Sequence, residues 1–208
     1  MVQSIKTVLQ QNRDLLVQQD SSAVCLKRTT ELSVEERKKA AIEFMEAFNP
    51  RQQMQVVGNP DDCLFGPYWT LAQLKVEYGK NTPVAWLVPQ LLNLSEFCGC
   101  KGKLSDAQLE ECAFTIATEY YYLKVSELML FFHKFKAGYY GKFYGNVDPM
   151  VITTSLRTFV SFRNQRIWEK ESEDAARKRE EDAKNSITWE EYCRQTGQLD
   201  RINKSPLP

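Results

Sequence analysis

The stretch I-A-T-E-Y-Y-Y-L-K-V-S-E-L-M-L-F-F-H-K-F-K-A-G-Y-Y-G-K-F-Y-G-N-V-D-P-M-V-I-T-T-S-L-R-T-F-V-S-F-R-N-Q-R, Ile116 to Arg166, decides how this chain is read. Leu128, Phe131, Phe132 and Phe135 recur at spacings of three and four, which places them on one face of a helix. Ser126-Glu127 reads as the cap of that helix, and Gly138 as its stop, because glycine adopts the left-handed conformation of a helix end at little cost. Asp148-Pro149 offers an N-cap followed by a proline at the first helical position. Ile152, Leu156, Phe159, Val160 and Ile167 then define a second long helix.

The same signals extend toward the N-terminus. Ser105 with Gln108, Thr70 with Gln73 and Ser33 with Glu36 each form a capping box, a hydroxyl residue followed three positions later by Glu or Gln. Behind Ser105, the residues Leu109, Cys112, Ala113, Ile116, Tyr120 and Leu123 share one face. Leu71, Leu74 and Tyr78 follow Thr70 in the same way, and Gly79 ends the pattern. Thr82-Pro83 opens a helix carrying Leu87, Leu91 and Leu94, in which Pro89 is expected to kink the chain or delay the start. Residues 50–69 read as a long loop turning at Gly58-Asn59-Pro60-Asp61. Val34, Ala41, Ile42, Met45 and Phe48 are the expected apolar face behind Ser33, and Asn49-Pro50 its end. A weaker stripe, Ile5, Val8, Leu9, Leu15 and Leu16, suggests one more helix over residues 4–19.

Toward the C-terminus the run Glu169–Lys184 is charged on all sides apart from three alanines, so it reads as a solvated helical extension. Thr188 to Glu191 forms a last capping box, opening a short helix with Trp189 and Tyr192. No segment shows strand alternation. The expected fold is all-α, a single bundle-like domain of about seven or eight helices. The core is expected over residues 1–168, followed by a charged extension over 169–208.

Composition limits the function classes. The chain has 208 residues, 43% of them hydrophobic, with 27 basic and 27 acidic residues. A net charge of zero gives no global field toward nucleic acid or a membrane, so any such attraction is local. No apolar run reaches signal-peptide or membrane-spanning length, which points to a cytoplasmic protein without membrane partners. Six cysteines are present, and Cys98-Gly99-Cys100 is the one close pair. Zinc sites ordinarily need two-residue spacers and a second matching pair, so no metal or other cofactor is expected.

Catalytic chemistry finds no support. The loop Gly138–Gly145 lacks the spacing of a phosphate-binding loop, and a carboxylate at Asp148 opposes an anion at the next helix start. His133 is the sole histidine and sits among phenylalanines, more in the manner of a packing residue than of a base. The expectation is a protein that is not an enzyme. The local charge is more informative. From Lys124 to Arg166 there are seven basic residues against Glu127 and Asp148, a local excess of five. Exposed aromatic rings stack on bases, and lysines and arginines track phosphates. Lys134, Lys136, Tyr139, Tyr140, Lys142, Tyr144, Arg157 and Arg163 are therefore candidate contacts to single-stranded nucleic acid. The competing reading is that the rings plug the open end of the helical core. Trp189 and Tyr192, beyond the charged spacer, suit a partner's groove or fold back on their own domain.

The segment Glu119 to Phe159, with its K-x-G-x-Y-G-K-x-Y-like loop, resembles an uncharacterised protein family of phages and integrated elements in Bacteroidetes-type bacteria. The resemblance covers about a quarter of the chain and carries no assigned reaction, so it implies no catalytic residue. In layout alone, a helical body, charged spacer and terminal docking segment are similar to phage helicase loaders. That likeness implies a replication protein such as a helicase as partner. The expectation is an accessory protein in DNA transactions. The alternative is a protein–protein adaptor with no nucleic-acid contact.

Overall fold

The computed structural model describes residues 33–186 and 191–192. The stripe over 4–19, Cys25, Trp189, Cys193 and most of the last capping box lie outside the described residues. The protein is all-α. Among the described residues there are eight α-helices and no strand: α1 Val34–Ala47, α2 Gln53–Val56, α3 Pro60–Phe65, α4 Leu71–Tyr78, α5 Thr82–Phe97, α6 Asp106–Glu119, α7 Val125–Lys136 and α8 Pro149–Asn185. Two compact units divide at Val160 and Ser161, inside α8.

Three of the expected capping boxes form. Ser33, Thr70 and Ser105 each accept from the backbone three residues on, and Glu36, Gln73 and Gln108 reach back to the cap. Asp148 Oδ1 accepts from the Met150 amide at 2.8 Å, opening α8 at Pro149 as expected. The start of α7 differs from expectation. Its cap is Lys124, whose amide is held by Glu127 Oε2 at 2.8 Å. Ser126 lies inside the helix, and its hydroxyl donates to the Cys63 carbonyl at 2.8 Å. The Lys124 ammonium donates to the carbonyls of Leu64 and Gly66. A tertiary partner, the end of α3, takes the groups that local chemistry would have spent on a cap.

Residues 50–69 also differ from the expected loop. They hold a 3-10 turn at Pro50–Gln52, then α2 and α3. Asn49 and Asn59 cap the turn and α3 through their side chains, each with proline at the first turn. Asn-Pro, read as a terminator, is here equally a starter. Within α1 the buried residue is Phe44, not Ile42, which is exposed. Phe44 packs against Phe48 and Tyr78 at 5.0 and 5.7 Å between ring centroids. In α5, Pro89 sits inside a helix that runs without interruption from Thr82 to Phe97, so it does not delay the start.

The first unit is organised on α7. Every residue from Val125 to Phe132 is buried, Ser126 and Glu127 included, where the spacing predicts a single buried face. α2, α3 and α5 pack on it, while α5 pairs with α4 and α6. The chain before α4 and the chain before α7 run antiparallel, with Leu71 N donating to Leu123 O and Val125 N to Trp69 O. α8 joins this core through Ile152, Ser155, Leu156 and Phe159. Phe159 and Phe131 stand 5.8 Å apart. The second unit carries the rest of α8. Its charges pair along the helix, Arg166 with Glu169 and Arg177 with Asp174 at 2.8 Å each. Such exposed pairs are screened by solvent and contribute little to stability.

Burial has a consequence for alkaline stability. It pushes the Cys112 thiol up to about 11 and the Tyr140 phenol up to about 12. Burial, and then the Asp62 carboxylate, push the Cys63 thiol up to about 12. Burial moves Tyr68 and Tyr78 the same way. The folded state thus holds protons at a pH where the unfolded chain has released them. The stability these groups contribute is complete below the ordinary thiol value of 9.0 and lost as pH rises through the folded values. Lys134 and Lys136, lowered by burial, act in the opposite sense below 10.5. Urea midpoints are expected to be level from neutral pH to about 9, then to fall, most steeply above about 10.5. A midpoint unchanged up to pH 12 would show that these thiols and phenols are hydrated in the fold.

Candidate nucleic-acid interface

The loop between α7 and α8 is built by its glycines. Gly138, Gly141 and Gly145 all have positive φ, at 85°, 97° and 80°, a region costly for residues with a Cβ. α7 closes with Gly138 N donating to Phe135 O and Tyr139 N to Lys134 O. The loop's far end is tied to the segment between α5 and α6. Gly102 N donates to Gly145 O at 3.3 Å, and Val147 N donates to Gly102 O at 2.8 Å. A Cβ at Gly102 would meet the Asn146 side chain, which would have to turn away to admit a larger residue. The pairing brings Lys101 and Lys103, both exposed, to the loop. Sequence reasoning missed these two lysines, because the bridge joins chain positions more than forty residues apart.

The four loop rings divide into two pairs. Phe143 stacks on Phe135 at 5.3 Å, and Tyr140 lies 5.5 Å from Phe131 and 5.9 Å from Phe135. These two rings seal the edge of the core. Tyr139 and Tyr144 turn outward and are 71% and 93% exposed. The Lys134 ammonium lies 4.9 Å from the Tyr139 ring centroid, a cation–π contact that orients the ring. Burial lowers the Lys134 amine. Lys142 is exposed at the loop's crest, and Arg157 is exposed on α8.

Two predicted contacts are placed elsewhere. The Lys136 ammonium donates to Gln53 Oε1 at 2.7 Å and to Asn93 Oδ1, and lies 5.8 Å from the Phe97 ring. It ends a buried polar chain. Gln53 Nε2 donates to Gln90 Oε1 at 2.6 Å, and Gln90 Nε2 and Trp86 Nε1 both donate to the Phe48 carbonyl at 2.8 Å. Burial lowers the Lys136 amine, an effect offset in part by the nearby Cys98. Lys136 thus serves the joint between α7, α5 and α2. Arg163 belongs to the second unit, where it donates to Asn164 Oδ1 at 3.1 Å. Of the docking pair, Tyr192 is 42% exposed and Trp189 lies outside the described residues.

Beside the outward rings runs an open groove of about 470 Å³. Tyr139 and Tyr140 form its loop side, and Met150, Val151, Thr154 and Thr158 its α8 side. Met150 is 70% exposed. A second open groove, of about 780 Å³, lies between α5 and α6, with Val84, Val88, Glu110 and Phe114 among its lining residues. Among the described residues no three His, Cys, Asp or Glu side chains gather to hold a metal ion. No described helix is long and apolar enough to cross a membrane.

No curated protein and no solved structure matches the chain. Residues 103–203, which begin at Lys103 and include α6, α7, the aromatic loop and α8, match the model of a family of unknown function, DUF6633.

Proposed function

We propose that the protein binds single-stranded nucleic acid through the α7–α8 loop, as a non-enzymatic accessory protein in the DNA transactions of a mobile element. The observation that carries the reading is the outward pair Tyr139 and Tyr144, with Lys134 against the Tyr139 ring, Lys142 in the same loop, and Lys101 and Lys103 flanking the Gly102 that pairs with Gly145. Rings this exposed contribute little to the core and sit in the arrangement that stacks unpaired bases, with lysines placed for phosphates. From Lys134 to Val160 the first unit carries four basic residues against one acidic, Asp148, whose carboxylate is engaged in capping α8. The resemblance of Glu119–Phe159 to proteins of phages and integrated elements supports the mobile-element setting and a cytoplasmic location. The layout of body, charged helix and terminal segment supports a replicative helicase as partner.

Fluorescence anisotropy with a labelled single strand tests the reading. Wild-type protein is expected to bind at low salt, with affinity falling linearly in log salt. Lys101→Glu combined with Lys142→Glu removes two phosphate contacts. The double variant is expected to weaken binding at least about tenfold and flatten the salt slope by about 1.4. A wild type with no affinity for any single strand at low salt would leave the adaptor reading. That reading is favoured by one observation, the α5–α6 groove with Phe114 64% exposed on its rim.

A further inference from the structure

We propose that the open groove between α5 and α6 is a docking site for a partner's amphipathic helix whose apolar stripe is flanked by lysines or arginines. The inference goes beyond the nucleic-acid reading above and does not depend on it. The groove has a volume of about 780 Å³. Val84, Ala85 and Val88 stand on its α5 side, and Glu110, Glu111 and Phe114 on its α6 side. The Phe114 ring is 64% exposed, although Ala113 and Ile116 beside it on α6 are fully buried. The ring thus contributes little to the core, and beside the two valines it is the kind of large apolar anchor that interfaces use.

Charge and backbone together select the occupant. α5 and α6 carry five acidic residues, Glu96, Asp106, Glu110, Glu111 and Glu119, and no basic one, on a chain whose net charge is zero. Glu110 and Glu111 line the groove, and among the described residues no cation pairs with either. Lys80, one residue before the groove's Asn81, is not among the lining residues. Such a surface repels nucleic acid and anionic membranes and attracts a cationic partner. Pro89 adds to this, since it has no N–H and leaves the Ala85 carbonyl, one turn back, without its α-helical donor. Otherwise both walls are helices that spend their backbone groups on themselves, so an extended peptide finds no ladder to join. A helix brings its own backbone bonds. Val84 and Val88 stand four residues apart, as do Glu110 and Phe114, which is the spacing of the ridges between which a third helix packs.

Two designed helical peptides of about 18 residues test the proposal by calorimetric titration. Both carry leucines in one helical stripe, and they differ in having lysines or glutamates beside it. Wild-type protein is expected to bind the lysine peptide at least about tenfold more tightly than the glutamate peptide. Glu110→Lys combined with Glu111→Lys is expected to reverse that preference. Phe114→Ala is expected to weaken the lysine peptide about tenfold. These three positions are exposed, so the variants are expected to melt with the wild type. Ala85→Trp, which fills the groove from its α5 side, is a second block should Phe114→Ala lower the melting temperature. Equal affinity for the two peptides, or none for either, would overturn the docking site. A lysine preference that survives the charge reversal, or lysine-peptide affinity unaltered in both blocking variants, would place binding elsewhere and equally overturn it. Sedimentation of the protein alone completes the test: a dimer that Phe114→Ala dissolves would make the occupant a second copy of this chain and sink the basic partner helix. Single-strand binding is read separately by anisotropy, so the failure of either reading leaves the other standing.

Discussion

Phe131→Ala is expected to destabilise the protein by about 3–5 kcal/mol, the range for removing a fully buried phenylalanine from a packed core. Phe131 has no exposed surface and its ring meets Phe132, Phe135, Tyr140 and Phe159 at centroid distances of 5.2–5.9 Å. It joins three parts of the first unit: α7 itself, the aromatic loop through Tyr140, and α8 through Phe159. The vacated space cannot be refilled by one rotamer change, because its neighbours are rings fixed by one another. Denaturant unfolding measures the loss. Nucleic-acid affinity is expected to fall with it, since Tyr140 and the groove lose their backing. Tyr144→Ala is the counterpart. At 93% exposure it is expected to change stability by less than about 0.5 kcal/mol while weakening binding to single strands. A Phe131→Ala protein as stable as wild type would mean that the loop and α8 do not meet on α7 in this way.

Lys136→Glu is expected to cost about 2–4 kcal/mol, although lysine-to-glutamate changes on helix surfaces are usually small. The substitution removes donors from Gln53 Oε1 and Asn93 Oδ1 and brings a carboxylate to two oxygen acceptors. The damage then passes along Gln53 and Gln90 to the Phe48 carbonyl. Lys136→Met, which loses the hydrogen bonds without adding the repulsion, is expected to fall between. Lys142→Glu, six residues on and exposed, is expected to leave the melting temperature within about 2 °C and to act on binding alone. Thermal unfolding of the three variants side by side decides the matter. If Lys136→Glu melts with the wild type, its ammonium is in solvent and it returns to the set of phosphate contacts.

The contrast between Lys136 and Lys142 shows where sequence reading stops. Both are lysines beside phenylalanines in one basic stretch, and charge counting treats them alike. Lys136 differs because Gln53 and Asn93 lie 83 and 43 residues away in the chain and arrive only when α2 and α5 pack on α7. Ser126 is a parallel case. Its hydroxyl answers to Cys63, 63 residues distant, so the cap falls to Lys124. Ile42 and Phe44 both fit a helical stripe, and the choice between them depended on Tyr78 reaching α1 from α4.

The sequence by itself determined the all-α class, the starts of α1, α4, α6 and α8, and most of the residues that α4, α5, α6 and α8 bury, although Tyr78, Tyr120, Val160 and Ile167 stay partly exposed. Capping boxes and three-four apolar spacing act within one or two helical turns, so the chain carries them without knowledge of its neighbours. The candidate site was legible as a stretch, Lys134 to Arg163, but not as a surface. Tertiary structure alone decided which loop rings seal the core and which face outward. Phe131 and Phe135 provide inward places for Tyr140 and Phe143, while Tyr139 and Tyr144 alternate to the other side of a glycine-turned backbone. It alone brought Lys101 and Lys103 to the loop, through the pairing of Gly102 with Gly145 and Val147. Long-range contacts of this kind are chosen by which surfaces remain to be buried once the helices have formed, and no local pattern encodes that choice.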